Sequence, residues 1–171
     1  MTVSQADLAA VAEQLGREPR GVLEVSYRTP DGRPAVVKTA PRLPDGTPFP
    51  TLYYLTDPRL TSAASRLESS GVMKTMSERL LVDEELAAAY RRAHEDYLAE
   101  RDAIESLGTD FSGGGMPDRV KCLHVLIAHS LAKGPGLNPL GDEAVALACA
   151  DGLRGSALPA DWPELGDEGD S

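Results

Sequence analysis

The sequence predicts an α+β fold, with a small antiparallel sheet of about three strands in the N-terminal half packed against a predominantly helical C-terminal half. Three observations predict it. Two β-rich runs flank a turn built from Pro30, Asp31 and Gly32. From Pro58 onward, charge pairs and apolar residues recur at helical spacing. The strands precede the helices instead of alternating with them, which is the order of an α+β chain.

The elements follow in order. Residues 4–15 read as a helix capped by Ser4 and stopped by Gly16, with Leu8, Val11, Ala12 and Leu15 on one face. Residues 21–27 and 34–39 form the hairpin, and the alternation of Val25 and Tyr27 with Glu24 and Ser26 leaves one face wet. Four prolines and a second Asp-Gly make residues 41–50 a loop. Residues 51–56 read as a third strand, ended by Asp57 and Pro58. Pro58 also suits the first turn of a helix over 58–69, which Thr56 or Asp57 can cap and Gly71 closes. A long charged helix runs from about residue 77 or 83 to 106 and ends before Gly108. Residues 111–115 read as a flexible glycine loop. Asp118 is placed to cap a helix over 119–132, residues 138–141 read as a turn, and residues 142–150 as a last short helix. Residues 1–150 are thus expected to form a single domain, and residues 151–171 an acidic, disordered tail on which only Trp162 offers a local anchor.

Composition narrows the function classes. The 171 residues fit one domain, and a chain of that size buries roughly two thirds of its unfolded surface without staples. The formal charge is −10, half of it from Asp151 onward, so both parts repel phosphate backbones and general nucleic-acid binding is disfavoured. The N-terminus lacks the basic and apolar regions of a signal peptide, and no apolar run approaches a membrane span; a cytoplasmic protein is expected. The two cysteines, Cys122 and Cys149, form no CxxC pair, and a reducing cytosol argues against a structural disulfide.

Chemistry concentrates in residues 119–141. Cys122, His124 and His129 fall within eight residues, beside Lys121. On the expected helix, Cys122 sits in the first turn, where the partial positive charge of the N-terminus favours a thiolate. It lies about 10.5 Å along the axis from His129, a long reach for two ligands of one metal. His124 and His129 diverge by about 140°, so this helix alone makes no ready zinc site. Asp57 and His94 are further ligands by residue type. The plainer alternative makes Cys122 a small core residue and the histidines ordinary hydrogen-bonding groups. On the long helix, Tyr90, His94, Tyr97 and Arg101 form one polar stripe, able to bind an anion or to bond to loops with Arg101 paired to an acid. The Ser112–Gly115 loop matches neither phosphate-loop spacing and reads better as a linker. Cys149, in an alanine-rich helix, reads as core.

The pattern of residues 48–58, the segment 120–124, Ala128 with His129, and residues 138–141 together resemble the domain of unknown function 501 family over about residues 5–150. The resemblance brings no reaction, substrate or cofactor. It implies a bacterial, actinobacterial-type cytosolic protein, because genes of the family lie beside those for enolase, a septum formation initiator and an exopolyphosphatase. It also carries over Lys121, Cys122, His124, His129, Asn138 and Gly141, together with Tyr90, His94, Tyr97 and Arg101. Position 57, Asp here, holds Cys or His in other members, and all three residue types can bind metal.

Three readings result. The first is an enzyme or small-ligand protein in which Cys122 is nucleophile or ligand, a histidine its base, and Arg101 and Lys121 clamp a small anionic ligand, with Tyr90, His94, Tyr97 and Asn138 lining the site. The second is a non-catalytic adaptor that meets a protein partner through the charged helix, linked to cell division or the envelope. The third is a metal module built from Asp57, Cys122, His124 and His129, with the cofactor itself left unspecified.

Overall fold

In the computed structural model, which describes residues 3–165, the sheet grows from the expected hairpin. Gly32 takes φ 88°, which a residue with a side chain rarely adopts. Thr29 and Arg33 close the turn through a Thr29 N–H to Arg33 carbonyl bond of 2.9 Å. β1 (Val22–Arg28) therefore runs antiparallel to β2 (Pro34–Thr39), and β2 runs antiparallel to β3 (Tyr53–Leu55), in the order β1-β2-β3. The central strand β2 is buried nearly throughout, while β1 is only partly covered, as its alternating pattern predicted.

The helices form where capping chemistry allows. α1 (Gln5–Leu15) is capped by Ser4, whose Oγ accepts from Asp7 N–H, and is closed by Gly16 in the left-handed region. α2 (Pro58–Ser69) starts at Pro58 under the Asp57 carboxylate. The next stretch is two helices, α3 (Val72–Val82) and α4 (Glu84–Ile104). Asp83 breaks out of helical geometry and caps the second through Leu86 N–H.

Two boundaries move from the expected ones. The helix expected over 119–132 begins later, as α5 (Leu123–Lys133), because residues 113–121 are used in packed turns. Gly113, Gly114 and Gly115 all take positive φ, and Lys121 N–H bonds back to the Gly114 carbonyl at 2.7 Å. A Cβ on Gly114 or Gly115 would meet Leu126 or the Arg119 backbone, so this loop is tightly fitted instead of loose. Asp118 caps nothing and its side chain stands in solvent. α6 (Pro139–Ala148) begins earlier than expected: Asn138 caps it by accepting from Gly141 N–H at 2.9 Å, with Pro139 in its first turn. Gly141 brings α6 directly onto α5, since a methyl there would overlap Ser130 Oγ and the Leu126 carbonyl.

A single core joins β2, β3 and the faces of α2 to α6, and it extends past the expected domain end. After a helical turn at Cys149–Leu153, residues 151–165 pack onto the fold instead of forming a solvated acidic tail. Three of their apolar side chains reach the core: Ala157 and Leu158 are fully buried, and the buried Trp162 donates its Nε1–H to the Asp142 carbonyl at 3.1 Å. The Arg154 guanidinium donates to the carbonyls of Ala160 and Trp162 and closes the segment on itself. The rest of the expected tail, residues 166–171, lies outside the described residues. No helix among the described residues is long and apolar enough to cross a membrane.

Candidate functional site

The start of α5 lacks a cap of its own. Cys122 precedes the helix in extended geometry (φ −151°, ψ 118°), and its side chain makes no capping bond. The first N–H groups of the helix therefore need an acceptor from elsewhere. Glu68, in the last turn of α2, supplies it. One carboxylate oxygen, Oε2, accepts from Leu123 N–H at 2.8 Å and from His124 Nδ1 at 2.8 Å. An acid at the C-terminal end of a helix opposes the macrodipole of its own helix. Here it is offset by the positive end of the neighbouring one.

Cys122 joins the pair. Its Sγ, an imidazole nitrogen of His124 and a carboxylate oxygen of Glu68 all lie within 4.8 Å of one another, and all three residues are partly exposed. The Cys122 sulfur, and after it the Glu68 carboxylate, outweigh partial burial and hold the His124 imidazolium up to about 9. Partial burial of Glu68 is in turn overcome by His124 and the Leu123 amide, which keep its carboxyl below the ordinary value. Cys122 and His124 open into a cleft of about 480 Å³ between α1, β3, α2 and α5. On its other side, Cys122 borders a second cleft of about 440 Å³, lined by Gly114, Gly115, Arg119 and Lys121.

The other residues singled out in the sequence lie apart from this cluster. Asp57 is fully buried at the opposite end of α2, where it caps the helix and accepts from the Arg59 guanidinium at 2.8 Å. Eleven residues separate it from Glu68, about 16 Å along the helix, so it is not placed to share a metal with Cys122. His129 is fully buried and already committed: Asn138 Nδ2 donates to its Nδ1 at 3.2 Å, and its Nε2–H donates to Asp96 at 3.2 Å. Burial lowers its pKa, Tyr53 stacks on its ring and Tyr97 meets it edge-on. Asn138 is spent on this bond and on the cap of α6.

The stripe on α4 exists and faces inward. Tyr90 Oη donates to the Arg119 carbonyl, His94 Nδ1 pairs with Ser112 Oγ at 2.7 Å, and Tyr97 Oη accepts from Leu52 N–H at 2.7 Å. Arg101 is fully buried and donates to the carbonyls of Phe111 and Thr109, with Asp102 Oδ1 3.5 Å from its Nε, so its guanidinium ties down a loop and pairs with an acid of its own helix. Burial lowers the pKa of His94 and raises those of the Tyr90 and Tyr97 phenols. None of the four lines the cleft at Cys122. The structure thus brings Cys122 and His124 together, leaves Lys121 at the adjoining cleft, and adds Glu68, which the sequence reading did not include. Its one signal was local: a glutamate at the C-terminal end of a helix is misplaced unless something positive meets it.

A family model described as protein of unknown function (DUF501) matches residues 25–146, a span that holds Glu68, Cys122 and His124. No curated protein and no solved structure matches the chain.

Proposed function

The chain belongs to this family of unknown function, and since membership carries no reaction we propose, from the site itself, that it is a thiol-dependent enzyme acting on a small molecule held in the cleft beside Cys122. Cys122 Sγ is the nucleophile. His124 accepts and returns the proton, and Glu68 fixes the imidazole through Nδ1, so that the three side chains play the parts of nucleophile, base and orienting acid. The observation that carries this reading is the 2.8 Å bond between Glu68 Oε2 and His124 Nδ1, made with the Cys122 sulfur inside the same 4.8 Å triangle. Both cysteines are free, as a reducing cytosol would keep them, and a cytoplasmic location is part of the proposal.

A second reading, a divalent transition-metal site on the same three donors, is favoured by their types, since thiolate, imidazole and carboxylate suit zinc. Distance favours the first of the two. Two light-atom ligands about 2.05 Å from a tetrahedral zinc stand roughly 3.3 Å apart. The Glu68–His124 separation of 2.8 Å is instead that of a hydrogen bond. A metal would have to open the pair.

The test is the alkylation rate of Cys122 by iodoacetamide, resolved by peptide mapping. Cys122 is expected to react about tenfold faster than glutathione at neutral pH, and the advantage to fall in His124→Gln and Glu68→Gln. A rate no higher than that of glutathione sinks the reading. Elemental mass spectrometry of gently purified protein addresses the second one: a near-stoichiometric metal lost in Cys122→Ser would replace the thiol mechanism with a metal centre.

A further inference from the structure

Two residues that line the cleft at Cys122 each carry a buried polar atom that the fold leaves unanswered. Thr56, at the end of β3, is 1% exposed, and its Oγ1 has no hydrogen-bond partner, although its main-chain N–H is satisfied by the Ala35 carbonyl. Gln14, on α1, donates its Nε2 to the Pro34 carbonyl at 2.8 Å, which fixes the amide and leaves Oε1 buried and unpartnered. Both residues line the same cleft as Cys122 and His124. A buried polar group without a partner destabilises the fold, so two at one cleft need a reason.

The chemistry of the lining says what would answer them. Thr56 has an O–H to donate, and Gln14 has a carbonyl that can only accept. Among the described lining residues there is no Asp, Glu, Lys or Arg. Arg119 and Lys121, which would suit an anion, border the other cleft, and Arg101 is buried away from both. A ligand that fits Thr56 and Gln14 presents an acceptor and an N–H donor side by side.

We infer that the substrate group bound at Cys122 is a neutral carboxamide, its carbonyl oxygen accepting from Thr56 Oγ1 and its N–H donating to Gln14 Oε1. This rests on the thiol reading above and names the substrate class for it. A carboxamide is the smallest common group with both functions on one carbon, and a carboxylate of the same shape lacks the donor that Gln14 Oε1 needs.

Two alkylating reagents test this directly, because iodoacetamide and iodoacetate share a reacting carbon and differ only in carboxamide against carboxylate. With either one, the Cys122 sulfur attacks the CH₂ carbon; the C–S bond forms as C–I breaks, and iodide leaves with the bonding pair. The quantity to measure is the ratio of the two second-order rates at Cys122, divided by the same ratio for glutathione. A normalised ratio of about 10 in favour of iodoacetamide is expected, equivalent to about 1.4 kcal/mol from two hydrogen bonds. The His124 imidazolium attracts the anionic reagent, so a preference for the amide runs against the local charge. Thr56→Val and Gln14→Leu should each lower the ratio by about threefold or more, and Thr56→Ser, which keeps the hydroxyl, should retain it. A normalised ratio near 1, with Cys122 still faster than glutathione, overturns the carboxamide assignment and leaves the thiol reading standing. A preference for iodoacetate overturns it in favour of an anionic ligand. If neither reagent finds Cys122 faster than glutathione, the thiol reading fails and this inference falls with it.

Discussion

Helix α5 carries two histidines, each bonded to a carboxylate, and their surroundings give them opposite characters. His124, at the helix start, is partly exposed and has the Cys122 sulfur and the Glu68 carboxylate beside it; its imidazolium is held up to about 9. His129, a turn and a half further on, is fully buried with only Asp96 as a charged hydrogen-bond partner, and burial pulls it down to the neutral form. Residue type and partner type are the same at both. Desolvation at His129, and the Cys122 sulfur beside His124, decide the charge. The first histidine is poised to move protons at a cleft, and the second is a fixed part of the core.

The largest expected effect that would break this comparison is on stability. His129→Ala or Asn138→Ala removes a buried, doubly bonded group between α5, α6 and α4, and should cost about 3–4 kcal/mol in urea unfolding. His124→Ala, at a partly exposed site, should cost about 1–2 kcal/mol. Equal losses at the two sites would erase the distinction. Next comes Gly141→Ala, which forces α6 off α5 beneath His129; a loss of about 1–3 kcal/mol is expected by the same measurement. A smaller and more diagnostic effect is the pH dependence. The raised His124 contributes stability that is fully present below its ordinary 6.5 and is lost as pH rises through about 9. The lowered His129 acts in the other direction: the unfolded chain takes up that proton more readily, so stability falls as pH drops below 6.5. NMR titration should place the His124 ring near 9, and Glu68→Gln should move it down; a His124 titrating at 6.5 would contradict the assigned environment. The smallest effect is expected at the exposed Asp7–Arg28 pair, where Asp7→Asn should change stability by less than about 1 kcal/mol and by less still in high salt.

Local chemistry made much of the fold legible. The hairpin turn at Thr29–Arg33, the Ser4 and Asp57 caps and the Gly16 stop each depend on neighbours within a few residues, and each forms as its sequence reads. The boundaries that moved depend on distant contacts: α5 starts late because Gly113–Gly115 pack against Leu126 and Arg119. Asn138 and Pro139 carried a readable helix start that a turn reading passed over. The site divides the same way. Cys122 and His124 stand out by type and proximity, whereas Glu68 is 56 residues from His124 and reaches it only because α2 packs on α5. The α4 stripe shows the limit of periodicity. Spacing places Tyr90, His94, Tyr97 and Arg101 on one face, but not what lies opposite, and here that is a set of loop carbonyls and amides.

The docked segment after α6 has a practical consequence. Trp162 is the sole tryptophan of the chain, and it sits buried on α6 with its indole bonded to the Asp142 carbonyl. Emission excited at the red edge of the indole band, beyond the absorption of the five tyrosines, therefore reports on one place only. A red shift at low denaturant, before the helical circular dichroism changes, would show residues 151–165 peeling away ahead of the core, giving an optical record of that one seam.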